Sequence, residues 1–265
     1  MGRVLLLAFA CALSAWAAEP PDRVASYSPG ATKTLLELGV GERIVAATRW
    51  CPLPATHRAA RSCDAFNPDL ESLLQVKPDL VILPRLANPL WAERCERAGL
   101  RTLVLNAESA DSAPRDIALI AAAVGKSTEA ARLIGPTPAA ERPNKTLLVI
   151  WDGMMAGPDA YTAWPLKQSG FRSPLRSGTW VKLDWETLIQ ASPDAILWVE
   201  TSPEDTPIER SEKRRKELSE VPAVKELKSV KSGLIYSTQS GGDWLPGAGL
   251  SRAAQKLQEI RKDLP

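Results

Sequence analysis

The sequence is poor in the residues that usually carry catalysis and bind metals. Its 265 residues include one histidine, His57, three tyrosines and three phenylalanines. It has no G-x-S-x-G elbow, no Walker glycine–lysine loop and no G-x-G-x-x-G after a strand. With one histidine and no C-x-x-C pair, a zinc or manganese site would be short of ligands. We therefore expect a protein that is not an enzyme and has no catalytic residues, resident metal or cofactor.

The sequence also lacks a marked charge excess and a long apolar run. The net charge is +2 with the charges interspersed, which gives no signal for nucleic-acid binding. Residues 1–17 are predicted to be a signal peptide, with Arg3, the apolar Val4–Leu13 and the A-x-A site Ala15–Ala17. No later apolar run has the 18 residues that a membrane span needs. We expect an exported, soluble protein, without a lipid anchor because Cys11 lies too early.

Three cysteines would remain after cleavage: Cys51, Cys63 and Cys95. An odd number in an oxidising compartment allows at most one bridge. Cys51 and Cys63 flank a proline-rich loop, and a disulfide closing that ring would contribute about 3 kcal/mol on the chain-entropy model. We predict a possible Cys51–Cys63 disulfide and expect Cys95, in a helical pattern, to pack as a small apolar residue.

The most informative pattern is a segment that occurs twice. Asp69–Leu83 reads DLESLLQVKPDLVIL, and Asp184–Trp198 reads DWETLIQASPDAILW. Each copy has an acidic first helical turn, an apolar helix face, a Pro-Asp turn and an apolar run typical of a buried parallel strand. The repeat predicts two α/β lobes built on one plan.

The rest of the chain continues the alternation of strands and helices. This pattern predicts mainly parallel central sheets flanked by helices in two similar lobes. We place an N-terminal lobe at 18–125, a helical linker at 126–145 and a C-terminal lobe at 146–265. The run Gly135–Pro138 interrupts the linker and shortens its helix.

Aromatic residues are predicted where a ligand would bind. Open parallel sheets bind ligands beyond the carboxyl ends of their strands. The residues expected there are mostly tryptophans with a few charges: Trp50, Arg85, Trp151, Asp152, Trp180, Asp243 and Trp244. Such walls suit a large, flat ligand, with Asp243 as a polar anchor. For each tryptophan, the alternative is a contact within the lobe core.

Glu71 and Glu186 occupy the same position in the two copies of the repeat. One carboxylate in a first helical turn is explained by the helix dipole. One on each lobe indicates two matched contacts for a two-fold symmetric partner that presents arginines.

Four stretches together resemble a known family: RVASYSPGATKTLLELG, RIVAATRWCPLP, FNPDLESLLQVKPDLVIL and VPAVKELKSVKSGLIYS. They resemble periplasmic substrate-binding proteins of ABC importers, of the cobalamin and iron-siderophore class, and most of all the cobalamin-binding branch. The resemblance implies a periplasmic protein, monomeric when free, that binds cobalamin or a related corrinoid between two lobes. It also implies delivery of that ligand to the permease dimer of an importer in the inner membrane.

The resemblance also assigns roles to single residues. Trp50, Trp180 and the Asp243–Trp244 pair match ligand-contacting positions of the cobalamin branch. Glu71 and Glu186 match its two glutamates that engage arginine pockets of the permease. Ala65 and Pro84 depart from the branch, which has further ring-contacting tryptophans there.

Two alternatives stay open at this point. A ferric-siderophore or haem carrier of the same class would use arginines in the cleft, and the candidates are Arg49, Arg85, Arg172 and Arg176. An exported bilobal sensor or enzyme could keep the aromatic residues but would not need Glu71 and Glu186.

Overall fold

Strands and helices alternate along most of the chain, as the sequence pattern predicts. A computed structural model describes residues 19–85, 89–107, 109–135, 143–201 and 206–264. The strands are β1 Val24–Ser26, β2 Ile44–Thr48, β3 Ala60–Cys63, β4 Leu80–Pro84, β5 Thr102–Leu105, β6 Lys145–Trp151, β7 Met154–Ala156, β8 Phe171–Arg172, β9 Trp180–Lys182, β10 Ala195–Glu200 and β11 Ile235–Gln239. The helices are α1 Pro29–Glu37, α2 Leu70–Gln75, α3 Pro89–Arg97, α4 Ser112–Ala123, α5 Ser127–Ile134, α6 Ala163–Gln168, α7 Trp185–Ala191, α8 Pro207–Ser219, α9 Lys228–Lys231 and α10 Gly249–Lys262.

The two copies of the repeat fold alike, as predicted. In each, a short helix leads into a buried strand: α2 into β4 and α7 into β10. Asp69 caps α2 by accepting hydrogen bonds from the backbone N–H groups of Glu71 and Ser72. Asp184 caps α7 through the N–H of Thr187. The caps explain why both helices begin where they do, since an N-cap oxygen satisfies backbone donors that the helix leaves free.

The first lobe is a parallel sheet in the order β3-β2-β1-β4-β5. Successive residues of β1 face different hydrophobic cores, Val24 on one side and Ala25 on the other. Burial on both faces accounts for the apolar runs of its central strands β1, β2 and β4. Because these strands are parallel, the carboxyl ends of β1, β2 and β4 lie at one edge of the sheet, next to the switch in strand order.

The second lobe is a sheet in the order β11-β10-β6-β7-β9, with β8 paired to β6. Strands β6, β10 and β11 are parallel, whereas β7 runs antiparallel to β6 and β9. Strands β6 and β7 form an antiparallel hairpin. Its two-residue turn, Asp152–Gly153, has positive φ at both positions (48° and 74°). Asp-Gly is a strong signal for such a turn, and this hairpin could have been predicted from it.

The two lobes meet in a close backbone contact, here called the seam, formed by Gly30 and Thr34 of α1 with Pro246 and Ala248. A Cβ atom on Gly30 would lie 1.8 Å from the carbonyl oxygen of Pro246. The Thr34 hydroxyl donates to the Gly30 carbonyl (2.9 Å) and accepts from the Ala248 N–H (3.1 Å). The seam therefore requires glycine at position 30 and ties the first helix of one lobe to a loop of the other.

Two sequence predictions concern residues outside the described part of the chain. The signal peptide at 1–17 lies outside it entirely, and so do residues 136–142 of the linker. The described part of the linker contains α5, as predicted. The lobe boundaries at 18–125 and 146–265 stay a prediction. Within the described ranges, no helix combines the length and apolar character needed to cross a bilayer.

The predicted Cys51–Cys63 disulfide is corrected by the structure, in which both are buried free thiols. The two side chains lie on opposite faces of the first sheet. Cys51 packs in the core that contains Val24 and lies 3.0 Å from the Thr32 hydroxyl, whereas Cys63 packs with Tyr27. Cys95 is fully buried, as expected. Burial raises the pKa of Cys63 to about 12 and that of Cys95 to about 11, so neither thiol is ionised near neutral pH.

Thiol labelling tests this correction. We expect native mature protein to resist alkylation, because the reactive thiolate is suppressed and the side chains are buried. In guanidinium without reductant, all three cysteines should be labelled, as mass spectrometry would show. Labelling of a single cysteine until reductant is added would instead reveal a disulfide.

Replacing Gly30 with alanine tests the seam. In an unconstrained helix this change stabilises by about 0.5–1 kcal/mol. Here the added methyl meets the Pro246 backbone, so we expect destabilisation of about 1–3 kcal/mol, seen as a lower denaturation midpoint. Thr34→Ser, which keeps the bridging hydroxyl, serves as the control. An unchanged or higher midpoint for Gly30→Ala would contradict the contact.

Candidate functional site

The carboxyl edge of the first sheet carries an exposed tryptophan and two arginines. Trp50 follows β2 and is 69% exposed. The guanidinium of Arg49 stacks on its ring, with Cζ 4.9 Å from the centroid. Arg85 follows β4 and is also exposed. Trp50 is thus open to solvent with one ring face already covered, as suits a wall that contacts a ligand through the other face.

The second lobe contributes a cluster of aromatic rings. Trp151 ends β6 and Trp180 begins β9, and their rings meet edge to face at 6.5 Å. The Tyr161 ring also meets Trp180 edge to face, with the ring centroids 5.7 Å apart. The Trp151 indole N–H donates to the Thr201 hydroxyl (3.0 Å), which in turn donates to the Asp152 carboxylate (3.1 Å). These contacts fix the orientation of two half-buried tryptophans before any ligand arrives.

We expected Asp243 and Trp244 to contact the ligand, and the structure corrects this expectation. Trp244 has no exposed surface and packs in the core of the second lobe, so a ligand cannot touch it in this conformation. The side chain of Asp243 is 14% exposed and pairs with Lys256 of α10 at 3.0 Å. Arg252 lies 4.0 Å from Asp243 and pairs with Glu37 of α1 at 2.6 Å. Asp243 therefore anchors its loop to α10 and to the contact between the lobes.

Glu71 and Glu186 are both exposed in the first turns of their helices. Glu71 borders an open concavity of about 740 Å³ whose lining includes Leu70, Leu74 and Arg94. Glu186 accepts a hydrogen bond from the Gln190 amide at 3.3 Å. The two carboxylates occupy equivalent positions in the two lobes, and both are exposed. Both are therefore available to a partner.

Arg172 and Arg176 belong to the second lobe and line two separate cavities. Arg172 lines a cavity of about 600 Å³ beside α6, together with Trp164 and Phe171. Arg176 lines a separate cavity of about 430 Å³ alongside α7. Of the four candidate arginines, Arg49 and Arg85 accompany Trp50 at the carboxyl edge of the first sheet.

The residues that most often ligate haem iron are engaged in the fold. The single histidine, His57, accepts at Nδ1 from the Ala59 N–H, and its Nε2 lies 3.1 Å from the Gly41 carbonyl. Tyr27 is buried and Tyr161 packs against Trp180. The Tyr236 hydroxyl donates to Asp263.

Burial raises the pKa of Tyr27 and Tyr236, so neither forms a tyrosinate near neutral pH. Within the described ranges, no group of three or more His, Cys, Asp or Glu side chains is placed to hold a metal ion. The histidine and the tyrosines are therefore all engaged within the described fold.

Sequence reasoning missed three contributors. Tyr161 and Thr201 support the tryptophans of the second lobe. Phe66 is 86% exposed and follows β3, a strand that was not predicted because its residues, Ala-Arg-Ser-Cys, form a short and largely polar segment. Once β3 is known, the carboxyl-end rule places Phe66 at the same edge as Trp50.

Comparison with known proteins confirms the resemblance seen in the motifs. Residues 24–135 match the family of periplasmic binding proteins. The chain is 28% identical over 103 residues to the vitamin B12-binding protein of Pectobacterium carotovorum. That alignment covers 38% of this chain and 37% of the relative, so the chain spans little more than a third of the curated relative it matches.

Solved structures share the fold across both lobes. The periplasmic haem-binding protein of Vibrio cholerae superposes with a TM-score of 0.71 at 19% identity, covering 90% of this chain and 98% of that one. The periplasmic vitamin B12-binding protein of Vibrio cholerae gives 0.69 at 16% identity, covering 92% and 97%. The predicted α/β fold is confirmed, and the two neighbours differ in the ligand for which they are named.

Proposed function

We propose that this chain, whose first lobe matches the periplasmic binding proteins, captures a cobalamin-like corrinoid between its lobes and delivers it to an ABC importer. It works in the periplasm as a monomer, and it binds its ligand without transforming it. The family match supports the class, and the vitamin B12-binding relative supports the ligand. The permease dimer of the importer is the partner that receives the ligand.

The observation that carries the ligand choice is aromatic surface on both lobes, with the histidine and the tyrosines engaged within the fold. Haem iron is held by side chains such as histidine or tyrosine. In this chain the histidine and the three tyrosines are buried or already bonded within the fold. A corrinoid brings its own axial ligands, so it needs from the protein only surfaces on which its ring can rest.

Affinity on this proposal comes mainly from burying the macrocycle. Apolar burial contributes about 25 cal/mol per Å², from which the cost of immobilising the ligand must be subtracted. Trp50 presents one free ring face, and the Trp151–Trp180 pair is held in place by Thr201. The seam, by joining the lobes closely, favours a ligand that is held between fixed walls.

Adding cyanocobalamin should quench tryptophan fluorescence and release or absorb heat in calorimetry. We expect Trp50→Ala and Trp180→Ala each to weaken binding about tenfold or more, because each removes stacking area. Leu119→Ala is the control, since this apolar side chain is 41% exposed on α4. No quenching and no heat at micromolar protein would overturn the corrinoid assignment.

A ferric siderophore is the second candidate, and Arg49 and Arg85 favour it. Anionic chelates would pair with these guanidinium groups, whereas a corrinoid would gain little from them. Arg85→Glu should therefore abolish siderophore binding yet leave corrinoid binding within about threefold. Loss of corrinoid binding in this variant would place the charge, and not the aromatic walls, at the centre of recognition.

We further propose that Glu71 and Glu186 contact arginines of the permease dimer. The Glu71→Ala/Glu186→Ala double variant should lower cobalamin uptake through its importer at least tenfold while ligand affinity stays unchanged. Glu42→Ala/Glu212→Ala, which removes one exposed glutamate from each lobe, is the matched control. Unimpaired uptake in the first variant would favour a sensor that serves no transporter.

A further inference from the structure

A cavity of about 600 Å³ lies where the start of α4 meets α6 and β8 of the second lobe. Ser109, shortly before α4, pairs with Ala160, shortly before α6, in an isolated antiparallel bridge that holds the two segments side by side. The volume falls within the range of roughly 300–1,000 Å³ that is typical of small-molecule sites. The described residues that line the cavity do not include Trp50, Trp151 or Trp180, so it is distinct from the proposed ligand site.

The walls of the cavity are largely apolar. Trp164 and Phe171 of the second lobe line it and are 8% and 0% exposed. Pro114 of α4 and Pro158, which precedes α6, line it as well, and their rings restrict the backbone around it. Walls of buried aromatic rings and prolines are formed before a ligand arrives, and they suit the hydrocarbon part of an organic molecule.

Two cations in the lining have no ionic partner. Lys167, in the last turn of α6, and Arg172, in β8, are both exposed. Neither forms an ion pair with any residue in the ranges that the structure describes. Asp111 also lines the cavity, and within the same ranges it pairs with no cation. The lining therefore combines apolar walls with an excess of positive charge that can meet an anion.

We propose that this cavity is a second binding site, which takes a small amphipathic organic anion. The apolar body of the ligand would rest against Trp164 and Phe171, and its carboxylate or sulfonate would pair with Lys167 and Arg172. Burial of the apolar part supplies affinity, whereas charge-assisted hydrogen bonds fix the orientation. The proposal is independent of the corrinoid assignment, because it uses other residues and another class of ligand.

Binding of anilinonaphthalene sulfonate tests the site, because this probe is an aromatic anion whose fluorescence rises in apolar surroundings. We expect wild type to bind one equivalent saturably and Lys167→Ala/Arg172→Ala to bind it at least fivefold more weakly. Lys213→Ala/Arg215→Ala is the matched control, since it removes the same charge from exposed positions of α8. Cooperative thermal unfolding of each variant would show that the probe reports on folded protein.

Competition separates the charge of the ligand from its apolar body. Decanoate should displace the probe, and decanol, which has the same chain without the charge, should do so at least tenfold more weakly. Ala163 lines the cavity at the start of α6, so Ala163→Phe should fill part of it and abolish saturable binding. Equal displacement by decanol and decanoate would contradict the anion requirement. Unchanged probe binding by a folded Ala163→Phe variant would contradict the location.

Adding cyanocobalamin separates this inference from the proposed function. If cyanocobalamin binds and the probe stays bound, both stand. If saturating cyanocobalamin displaces the probe, the probe occupies the site between the lobes, and the second site is wrong while the function stands. If cyanocobalamin does not bind but the probe binds and needs Lys167 and Arg172, the corrinoid assignment fails and the second site stands. Absence of saturable probe binding, or equal binding by Lys167→Ala/Arg172→Ala and wild type, would overturn the second site.

Discussion

The seam between Gly30 and Pro246 is the contact on which the geometry of the site depends. It brings backbone against backbone where a methyl group would not fit, and the Thr34 hydroxyl spans the same junction. Because α1 leads from β1 and the partner loop leads into α10, the contact relates the strand ends of one lobe to those of the other. The relative placement of the aromatic side chains on the two lobes therefore depends on this backbone packing as well as on the rings themselves.

Sequence patterns predicted the features that depend on residues close together in the chain. The repeated segments fold as helix and buried strand because cap, apolar face and Pro-Asp turn all lie within fifteen residues. The Asp152–Gly153 hairpin was equally local, and its signal was overlooked. Other features depend on packing between residues that are far apart in the sequence. Trp244 is buried because its loop folds onto α10, and no spacing in the sequence reveals that contact.

On the proposed function, recognition by aromatic surface would allow one fold to serve different ligands. Stacking and burial reward any broad, flat molecule and do not specify its central atom. Discrimination then depends on what surrounds the rings, namely free metal ligands, arginines or neither. Here the histidine and tyrosines are engaged, Arg49 is stacked on Trp50, and Arg85 lies at the same edge of the sheet. The positive charge of these arginines is thus the feature that distinguishes the candidate ligands, a corrinoid and a ferric siderophore.

The placement of Cys51 and Cys63 on opposite faces of one sheet has a consequence for biogenesis. The native fold needs no oxidative step, so it is equally accessible in a reducing cytoplasm and in an oxidising periplasm. In the unfolded chain, however, only eleven residues lie between the two thiols, close enough for them to meet readily. A bond formed before the sheet assembles must be broken again before the two side chains can pack on opposite faces.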